Sequence, residues 1–171
     1  MGLGVIGGDI AAKLALLGFS VAGWSRSAKR LPQVRSFFGR DQLEPFLKLS
    51  EILVCVLPLT PETEGILNKN TLAALPRGAC LISAGRGGHV IEHDLLAALD
   101  GGHIAGATLD VFHTEPLPAE HLFWTHPKVT VTPHVASITN PFTASMQVAD
   151  NVRRLQQGEP LVGVVDRQRR Y

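Results

Sequence analysis

A glycine pattern at the start of the chain is the feature that most restricts its fold. Gly2, Gly4 and Gly7 form a G-x-G-x-x-G pattern, which is typical of the turn between a buried parallel strand and the N-terminus of a helix. The first glycine makes the turn, the second lets the backbone approach a pyrophosphate, and the third lets the helix pack closely on the strand. Glycine turns also arise for purely structural reasons, so the pattern predicts a dinucleotide-binding turn only where strands and helices alternate after it.

Short apolar runs do alternate with stretches of helical periodicity in the rest of the chain. Runs that are apolar throughout are typical of a parallel sheet covered by helices on both faces. We therefore predict a doubly wound, Rossmann-like α/β domain over residues 1–158 and a tail over residues 159–171. The periodicity predicts strands over 20–24, 52–57, 79–83, 104–109 and 129–131, and helices over 6–17, 41–49, 68–75, 92–99 and 141–157.

The strand that normally precedes a glycine turn is reduced here to Met1. We expect that strand to belong in the centre of the sheet, between the strands over 20–24 and 52–57. Burying about five apolar side chains is worth on the order of 10 kcal/mol, comparable with a domain's net stability of roughly 5–15 kcal/mol. The sequence therefore predicts a sheet without its first strand, which needs another segment or another chain in that place.

The composition argues against several classes of partner. The chain has 171 residues, is 45% hydrophobic and carries a formal net charge of +1, so nothing attracts it in general to nucleic acid or to an acidic membrane surface. No apolar run reaches the roughly 20 residues of a membrane span, and no signal peptide precedes the glycine pattern. These features predict a cytoplasmic protein without nucleic-acid or membrane partners.

The cysteines and histidines do not predict a metal site. Cys55 and Cys80 each lie in an apolar, β-branched run, so we interpret them as buried free thiols. His89 and His93 are four residues apart, but they span a loop-to-helix junction and no third ligand follows at zinc-like spacing. We therefore expect no metal.

The strand predicted over 20–24 is followed by hydroxyls and positive charge, at Ser25, Arg26 and Ser27. In NAD-binding domains an acidic residue at about this distance from the glycine turn binds the ribose 2′-hydroxyl. An acid would repel a 2′-phosphate, whereas hydroxyls and a guanidinium would bind it. The sequence therefore predicts NADP, with NAD as the alternative cofactor and a solvated basic loop as the alternative interpretation.

Polar side chains follow three later strands. Arg86 comes after the strand over 79–83, Asp110 and Glu115 after the strand over 104–109, and His134 after the strand over 129–131. In open α/β sheets, ligands bind at the carboxyl ends of the strands. Each residue alone could be a surface arginine, a turn carboxylate or a capping histidine, but together they predict a site at one edge of the sheet.

These motifs resemble those of the D-isomer-specific 2-hydroxyacid dehydrogenases, and the resemblance extends from the first residue to the last. It is carried by the glycine pattern and by Trp24–Ser27, Leu57–Pro58, Ala84–Gly87, Leu109–Phe112, Glu115–Pro118, Thr132–His134 and residues 165–167. The resemblance implies an oxidoreductase that reduces a small 2-oxoacid, such as glyoxylate or hydroxypyruvate, with a hydride from NADPH.

The resemblance also implies a role for each polar residue. Arg86 would bind the carboxylate and carbonyl oxygen of the 2-oxoacid, a planar task that suits a guanidinium. His134 would be the general acid, and Glu115 would accept a hydrogen bond from its other ring nitrogen. Towards the cofactor, Asp110 would lie near the ribose or the amide of the nicotinamide, and the amides of Val5 and Ile6 would bind the pyrophosphate. The remaining residues that the resemblance places along the cofactor cleft are Leu57, Pro58, Ala84, Gly85 and Ser137.

In that family the glycine turn follows a strand and a whole substrate-binding domain, neither of which precedes it in this sequence. An alternative function is therefore a truncated, inactive module that binds a dinucleotide or a partner protein. Members of the family commonly dimerise through their cofactor domains, so a homodimer remains open.

Overall fold

The computed structural model describes residues 1–167, which divide into two compact units. The first unit, Met1–His134, holds six strands and four α-helices; the second begins at Val135 and holds one long helix. In chain order the elements are α1 (Val5–Leu16), β1 (Val21–Ser25), β2 (Val34–Phe38), α2 (Leu43–Leu47), β3 (Ile52–Cys55), α3 (Lys69–Ala73), β4 (Ala79–Ser83), α4 (Glu92–Asp100), β5 (Ile104–Leu109), β6 (Val129–Val131) and α5 (Pro141–Gln157).

The strands form two parallel sheets. The small sheet pairs β1 with β2, and the large sheet has the order β3-β4-β5-β6. Strands alternate with helices along the chain and all pairings are parallel, so the predicted Rossmann-like α/β fold is confirmed. The division between the sheets falls where the sequence predicts a missing strand, between β1 and β3.

Residues 1–3, which we call the seam, lie between the two sheets and bond to both. The amide of Gly2 donates to the carbonyl of Trp24 at 2.8 Å, and the amide of Val56 donates to the carbonyl of Met1 at 3.1 Å. The seam thus makes strand-like bonds to β1 and to the end of β3.

Burial of the seam is nearly complete. The amino group of Met1 donates to the carbonyl of Val54 at 2.5 Å, and its burial lowers its pKa because the charged form is desolvated. The side chain of Leu3 fills the space over Gly23, where a Cβ atom would come within 3.0 Å of it. The seam therefore joins the two sheets by side-chain packing as well as by backbone bonds.

The strand β2 was not predicted from the sequence. It pairs with β1 in register, so that Phe37 lies opposite Trp24, and Phe37 packs against Phe46 of α2 with 5.9 Å between ring centroids. Its sequence, Val-Arg-Ser-Phe-Phe, contains a charged residue and no continuous apolar run. The sequence of β2 therefore hardly indicates a strand, and β2 is stabilised instead by its packing on α2.

Other elements differ from prediction only at their ends, and β4, β5, β6 and α5 have the predicted bounds. β3 ends at Cys55, before the predicted Leu57, because the next amide bonds to the seam and Pro58 has no amide hydrogen. α2 begins at Leu43, after a 3₁₀ turn over Arg40–Gln42, since Pro45 is tolerated only in the first turn of a helix.

One core cluster includes Trp24 and Phe37 of the small sheet, but most of it lies in the large sheet and the helices packed on it. Its fully buried leucine, isoleucine and phenylalanine side chains are Leu47, Leu53, Leu67, Leu72, Leu81, Leu95, Leu99, Ile104, Leu109 and Phe123. By contrast, the predicted apolar face of α1 is buried only at Ala11, and Leu17 is 74% exposed. Both thiols are free, Cys55 buried and Cys80 half-buried. No helix in the described part of the chain is long and apolar enough to cross a bilayer.

The second unit is built around α5. Asn140 caps its N-terminus by accepting from the amides of Phe142 and Thr143. The amide side chain of Asn151 exchanges two hydrogen bonds with the backbone of Val162, so the following segment folds back on the helix. The separate tail over 159–171 stays a prediction, and residues 168–171 lie outside the described residues.

Candidate active site

The glycine turn connects the seam to α1 by close backbone contacts. Gly2 has a φ of +92°, and a Cβ there would lie 2.9 Å from the carbonyl oxygen of Val56. A Cβ on Gly7 would overlap the carbonyl group of Gly2, whereas the space around Gly4 is open to 4 Å. The first and third glycines are thus required by packing, and the second leaves room for a ligand against the backbone.

The N-terminus of α1 faces this open space. Gly4 is its N-cap, no side chain caps the helix, and its first turn carries no acidic residue. The side chains of Val5 and Ile6 are exposed, so they do not cover the amides of that turn. Uncapped amides at a helix N-terminus bind anions, and phosphates in particular. The turn therefore fits a dinucleotide pyrophosphate.

The predicted 2′-phosphate residues follow the end of β1. The hydroxyl of Ser25 is buried and donates to the carbonyl of Ser27 at 2.8 Å, which fixes the turn. Arg26 and Ser27 are exposed at that turn. Further along, Lys29 and Arg30 line an open cavity of about 450 Å³. The structure therefore places the charge of Arg26 directly after β1, with Ser25 shaping the backbone there.

The loops after β3 and β4 lie against each other. A Cβ on Gly85 would lie 3.0 Å from the carbonyl oxygen of Leu57. The carbonyl of Pro58 accepts from the hydroxyl of Thr63 at 2.7 Å. The structure thus brings the predicted cofactor residues Leu57, Pro58 and Gly85 together at adjacent strand ends, with Ala84 at the end of β4.

Arg86 lies in the loop after β4. Its neighbour Gly87 holds this loop against the loop after β5. A Cβ on Gly87 would overlap the carbonyl group of Phe112, so the two loops touch backbone to backbone. The guanidinium of Arg86 donates to the carbonyl of Gly85 at 2.7 Å. Its positive charge also lowers the pKa of Glu115, which means that the two side chains share one electrostatic environment.

Glu115 and His134 form the central pair of the site. Oε2 of Glu115 lies 2.8 Å from Nδ1 of His134, and its Oε1 accepts the amide of Phe112 at 2.9 Å. The pKa of Glu115 is lowered chiefly by the bond to His134, then by the amide of Phe112 and the charges of His134 and Arg86. His134 has a φ of +55°, which is uncommon for a residue other than glycine.

Asp110 is buried beside this pair, at the end of β5. Its amide donates to the carbonyl of Ser83 at 2.9 Å, and its carboxylate accepts the hydroxyl of Thr132 at 2.6 Å. Thr132 therefore fixes a carboxylate that the sequence predicts near the nicotinamide. We did not predict this role of Thr132 from the sequence, because it depends on two strand ends that meet only in the fold.

Ser137 belongs to the second unit, so its part in the cofactor cleft stays a prediction. Within residues 1–167 no group of three or more metal-ligating side chains comes together. His89 is buried and uses both ring nitrogens on backbone groups, at Arg86 and Pro58, while His93 contacts Asp94 at 3.1 Å.

Comparison with known proteins now defines the class. The model of the D-isomer specific 2-hydroxyacid dehydrogenase family, NAD binding domain, matches residues 1–136. The chain therefore belongs to that family, as the sequence motifs indicated.

Individual relatives agree with this assignment. Glyoxylate/hydroxypyruvate reductase A of Klebsiella pneumoniae (strain 342) is 49% identical over all 171 residues of this chain, which match 55% of that protein. Its counterpart in Photorhabdus laumondii is 51% identical over 166 residues, 97% of this chain and 53% of the relative. The chain thus spans about half the length of the curated relatives it matches.

Solved structures show the same fold. A D-isomer specific 2-hydroxyacid dehydrogenase from Xanthobacter autotrophicus Py2, in complex with NADPH and MES, has a TM-score of 0.96 at 52% identity and covers 99% of this chain and 70% of its own. The NADPH-dependent glyoxylate/hydroxypyruvate reductase of Sinorhizobium meliloti, with NADP and sulfate, also scores 0.96, at 44% identity over 100% of this chain and 55% of its own.

Proposed function

We propose that this chain supplies the cofactor-binding and proton-donating part of an enzyme that reduces a small 2-oxoacid to the 2-hydroxyacid with NADPH. The observation that carries the proposal is the 2.8 Å pair of Glu115 and His134 beside Arg86, at the carboxyl edge of the large sheet. This edge is where ligands bind in open α/β sheets.

The bond between Glu115 and His134 determines which ring nitrogen of His134 can donate a proton to the substrate. The lowered pKa of Glu115 keeps it a carboxylate, which accepts hydrogen bonds and cannot donate them. Nδ1 of His134 is therefore the donor to Glu115 at 2.8 Å. Nε2 is left as the nitrogen that delivers a proton to the carbonyl oxygen of the substrate.

Arg86 supplies the positive charge that a 2-oxoacid requires. A planar guanidinium binds a carboxylate through two parallel hydrogen bonds and orients the adjacent carbonyl. When NADPH is bound, it supplies the hydride that adds to the carbonyl carbon. Protonation of the oxygen by His134 then completes the 2-hydroxyacid.

The cofactor proposal is NADP rather than NAD. It is supported by Arg26 and Ser27 at the end of β1, where an acidic residue would favour NAD. It is also supported by relatives solved with NADPH or NADP. Glyoxylate and hydroxypyruvate are the proposed substrates because the matching curated relatives bear those names.

The test begins with NADPH binding, followed by fluorescence, and continues with glyoxylate-dependent oxidation of NADPH. We expect His134→Ala to abolish turnover while NADPH still binds. His126→Ala is the matched control, because His126 pairs with Asp100 at 3.2 Å, away from the proposed site. Normal turnover by His134→Ala would show that another group donates the proton.

Arg26→Asp tests the cofactor choice separately. We expect it to weaken NADPH binding and to leave NADH binding unchanged or stronger, because the new carboxylate repels a 2′-phosphate. Equal affinities for the two cofactors in the unmodified chain would contradict the NADP assignment.

A second function is a binding module that holds a dinucleotide without turnover. The observation that favours it is the division of the described strands into two sheets, which the seam bridges by backbone hydrogen bonds. NADPH binding with no oxidation in the presence of glyoxylate would support the module. An absence of binding at millimolar NADPH would contradict both functions.

A further inference from the structure

One buried side chain near the proposed site has no role in the chemistry above. His89 is fully buried, in the 3₁₀ turn Gly87–His89 that directly follows Arg86. Its Nδ1 accepts the amide of Arg86 at 3.1 Å, and its Nε2 lies 3.2 Å from the carbonyl oxygen of Pro58. A single ring thus bonds to the backbones of two loops, one after β3 and one after β4.

The two partners determine the tautomer of the ring. An amide can only donate and a carbonyl can only accept, so Nδ1 of His89 carries no proton and Nε2 carries one. Burial lowers the pKa of His89, which favours the neutral ring that this arrangement requires.

The ring also fills the space between the loops. A Cβ added to Gly85 would lie 3.1 Å from Cε1 and Nδ1 of His89, and 3.0 Å from the carbonyl oxygen of Leu57. The loop after β4 is therefore confined between the imidazole and the loop after β3. Neither loop can shift towards the other without moving His89.

We propose that His89 is a positioning residue, which fixes the Arg86 loop against Leu57 and Pro58 and so determines where the guanidinium stands relative to the cofactor cleft. The inference rests on the proposed function insofar as Arg86 binds the substrate carboxylate. Its structural part, the fixing of the Arg86 backbone by the ring, is independent of that function.

Three substitutions separate the two bonds. In His89→Asn the side-chain oxygen can occupy the place of Nδ1 and accept the Arg86 amide, whereas the Pro58 bond is lost. In His89→Gln the longer amide can donate to Pro58, whereas the acceptor for Arg86 is lost. His89→Phe keeps the ring and removes both bonds. His103→Phe is the matched control, because His103 bonds to the carbonyl of Leu72 at 3.1 Å.

The first measurement is amide hydrogen exchange at Arg86 in the full chain, by NMR. We expect slow exchange in the unmodified chain and in His89→Asn, and faster exchange in His89→Gln and His89→Phe. The second measurement is the affinity for oxamate, a 2-oxoacid analogue, in the presence of saturating NADPH. We expect a loss of about tenfold in His89→Gln, typical of one buried hydrogen bond, and a larger loss in His89→Phe, which lacks both bonds. We expect a smaller loss in His89→Asn, which lacks only the bond to Pro58, and little change in His103→Phe.

The outcomes decide the proposal even where a variant does not fold. A nitrogen-15 spectrum of the unmodified chain that shows His89 protonated at Nδ1 overturns it, and so do equal exchange rates at Arg86 in His89→Asn and His89→Gln. If the unmodified chain binds neither NADPH nor oxamate, the proposed function fails. The exchange at Arg86 then still shows whether His89 fixes the loop.

Discussion

The large and the small sheet differ in how they are stabilised. The strands of the large sheet are buried by helices and loops of their own, and Leu81 at the centre of β4 is only 1% exposed. The small sheet packs on α1, which is mostly exposed, on α2 through Phe37 and Phe46, and on the seam. Most of the buried core belongs to the large sheet, to which the small sheet adds Trp24 and Phe37.

This difference divides the proposed chemistry. Arg86, Glu115 and His134 all follow strands of the large sheet, whereas the glycine turn and Arg26 belong to the seam and the small sheet. In the proposed function, proton donation and carboxylate binding would therefore depend on the more deeply buried sheet. Recognition of the cofactor phosphates would depend on the seam and the small sheet.

The largest expected effect is on the free energy of unfolding, when a leucine in each region is replaced by alanine. We expect Leu81→Ala to lower the free energy of unfolding by about 2–5 kcal/mol, because it leaves a cavity in the large sheet. Leu3→Ala in the seam should lower it by less, about 2 kcal/mol, because Leu3 is 7% exposed and Leu81 only 1%. Urea denaturation followed by circular dichroism measures both, and a larger loss in Leu3→Ala would contradict the comparison.

A pair of glycine substitutions tests the seam next. Gly2 and Gly18 both have a positive φ, but only at Gly2 would an added Cβ have backbone atoms within 4 Å. Gly18→Ala should cost about 1–2 kcal/mol from backbone strain alone. Gly2→Ala should cost more and also abolish NADPH binding. Thermal melts and an NADPH titration on both variants measure these effects, and equal results would show that the seam is not tightly packed.

Loss of charge at Glu115 should affect turnover while leaving the large sheet folded. Glu115→Gln keeps an acceptor for the amide of Phe112 but removes the carboxylate that orients His134. We expect glyoxylate-dependent turnover to fall on the order of a hundredfold, a typical loss for a mispositioned general acid. Normal turnover in this variant would mean that the pair does not orient the ring.

The same carboxylate predicts a pH dependence. The folded-state pKa of Glu115 lies below its ordinary value of 4.5. A group of this kind stabilises the fold above its unfolded-state pKa, and the contribution is lost as the pH falls through the folded-state value. We therefore expect the side-chain carboxyl signal of Glu115 in carbon-13 NMR to titrate below pH 4.5. A titration of that carboxyl signal above pH 4.5 would contradict this.

The smallest expected effect is on the chemical modification of Cys55, whose thiol lies beside the seam. Burial raises the pKa of Cys55, whereas Cys80 is only half-buried. Iodoacetamide should therefore modify Cys80 slowly and leave Cys55 unmodified in the native chain. In Leu3→Ala, opening of the seam should expose Cys55 and raise its rate of modification. Mass spectrometry of the labelled peptides measures both thiols, and rapid labelling of Cys55 in the unmodified chain would mean that the seam opens readily.

The sequence predicted the large sheet better than the small one for a physical reason. β4 and most of β5 are buried or half-buried along their length and so are largely apolar in continuous runs, which identify a strand without knowledge of its neighbours. β2 carries Arg35 and Ser36 and owes its pairing to β1 and α2, which only the folded chain brings to it. The large sheet could therefore be predicted from local sequence patterns, whereas the small sheet depends on tertiary contacts that a sequence pattern does not show.

The proposed site likewise contains residues whose positions could be predicted from the sequence and residues whose roles could not. The places of Arg86, Glu115 and His134 could be predicted because each follows a strand, and parallel strands end at one edge. The roles of His89 and Thr132 could not, because their partners are distant along the chain: Pro58 is 31 positions from His89, and Asp110 is 22 positions from Thr132. Such pairs leave no periodic signal in a single sequence.

The contact at Gly87 has a mechanical consequence. Since even a methyl group would overlap the carbonyl group of Phe112, the loop carrying Arg86 and the loop leading to Glu115 are in direct backbone contact. In the proposed function, a ligand that displaced Arg86 would therefore also disturb the loop that carries the carboxylate of Glu115. Substrate binding and the orientation of His134 would then be linked through the absence of a side chain at Gly87.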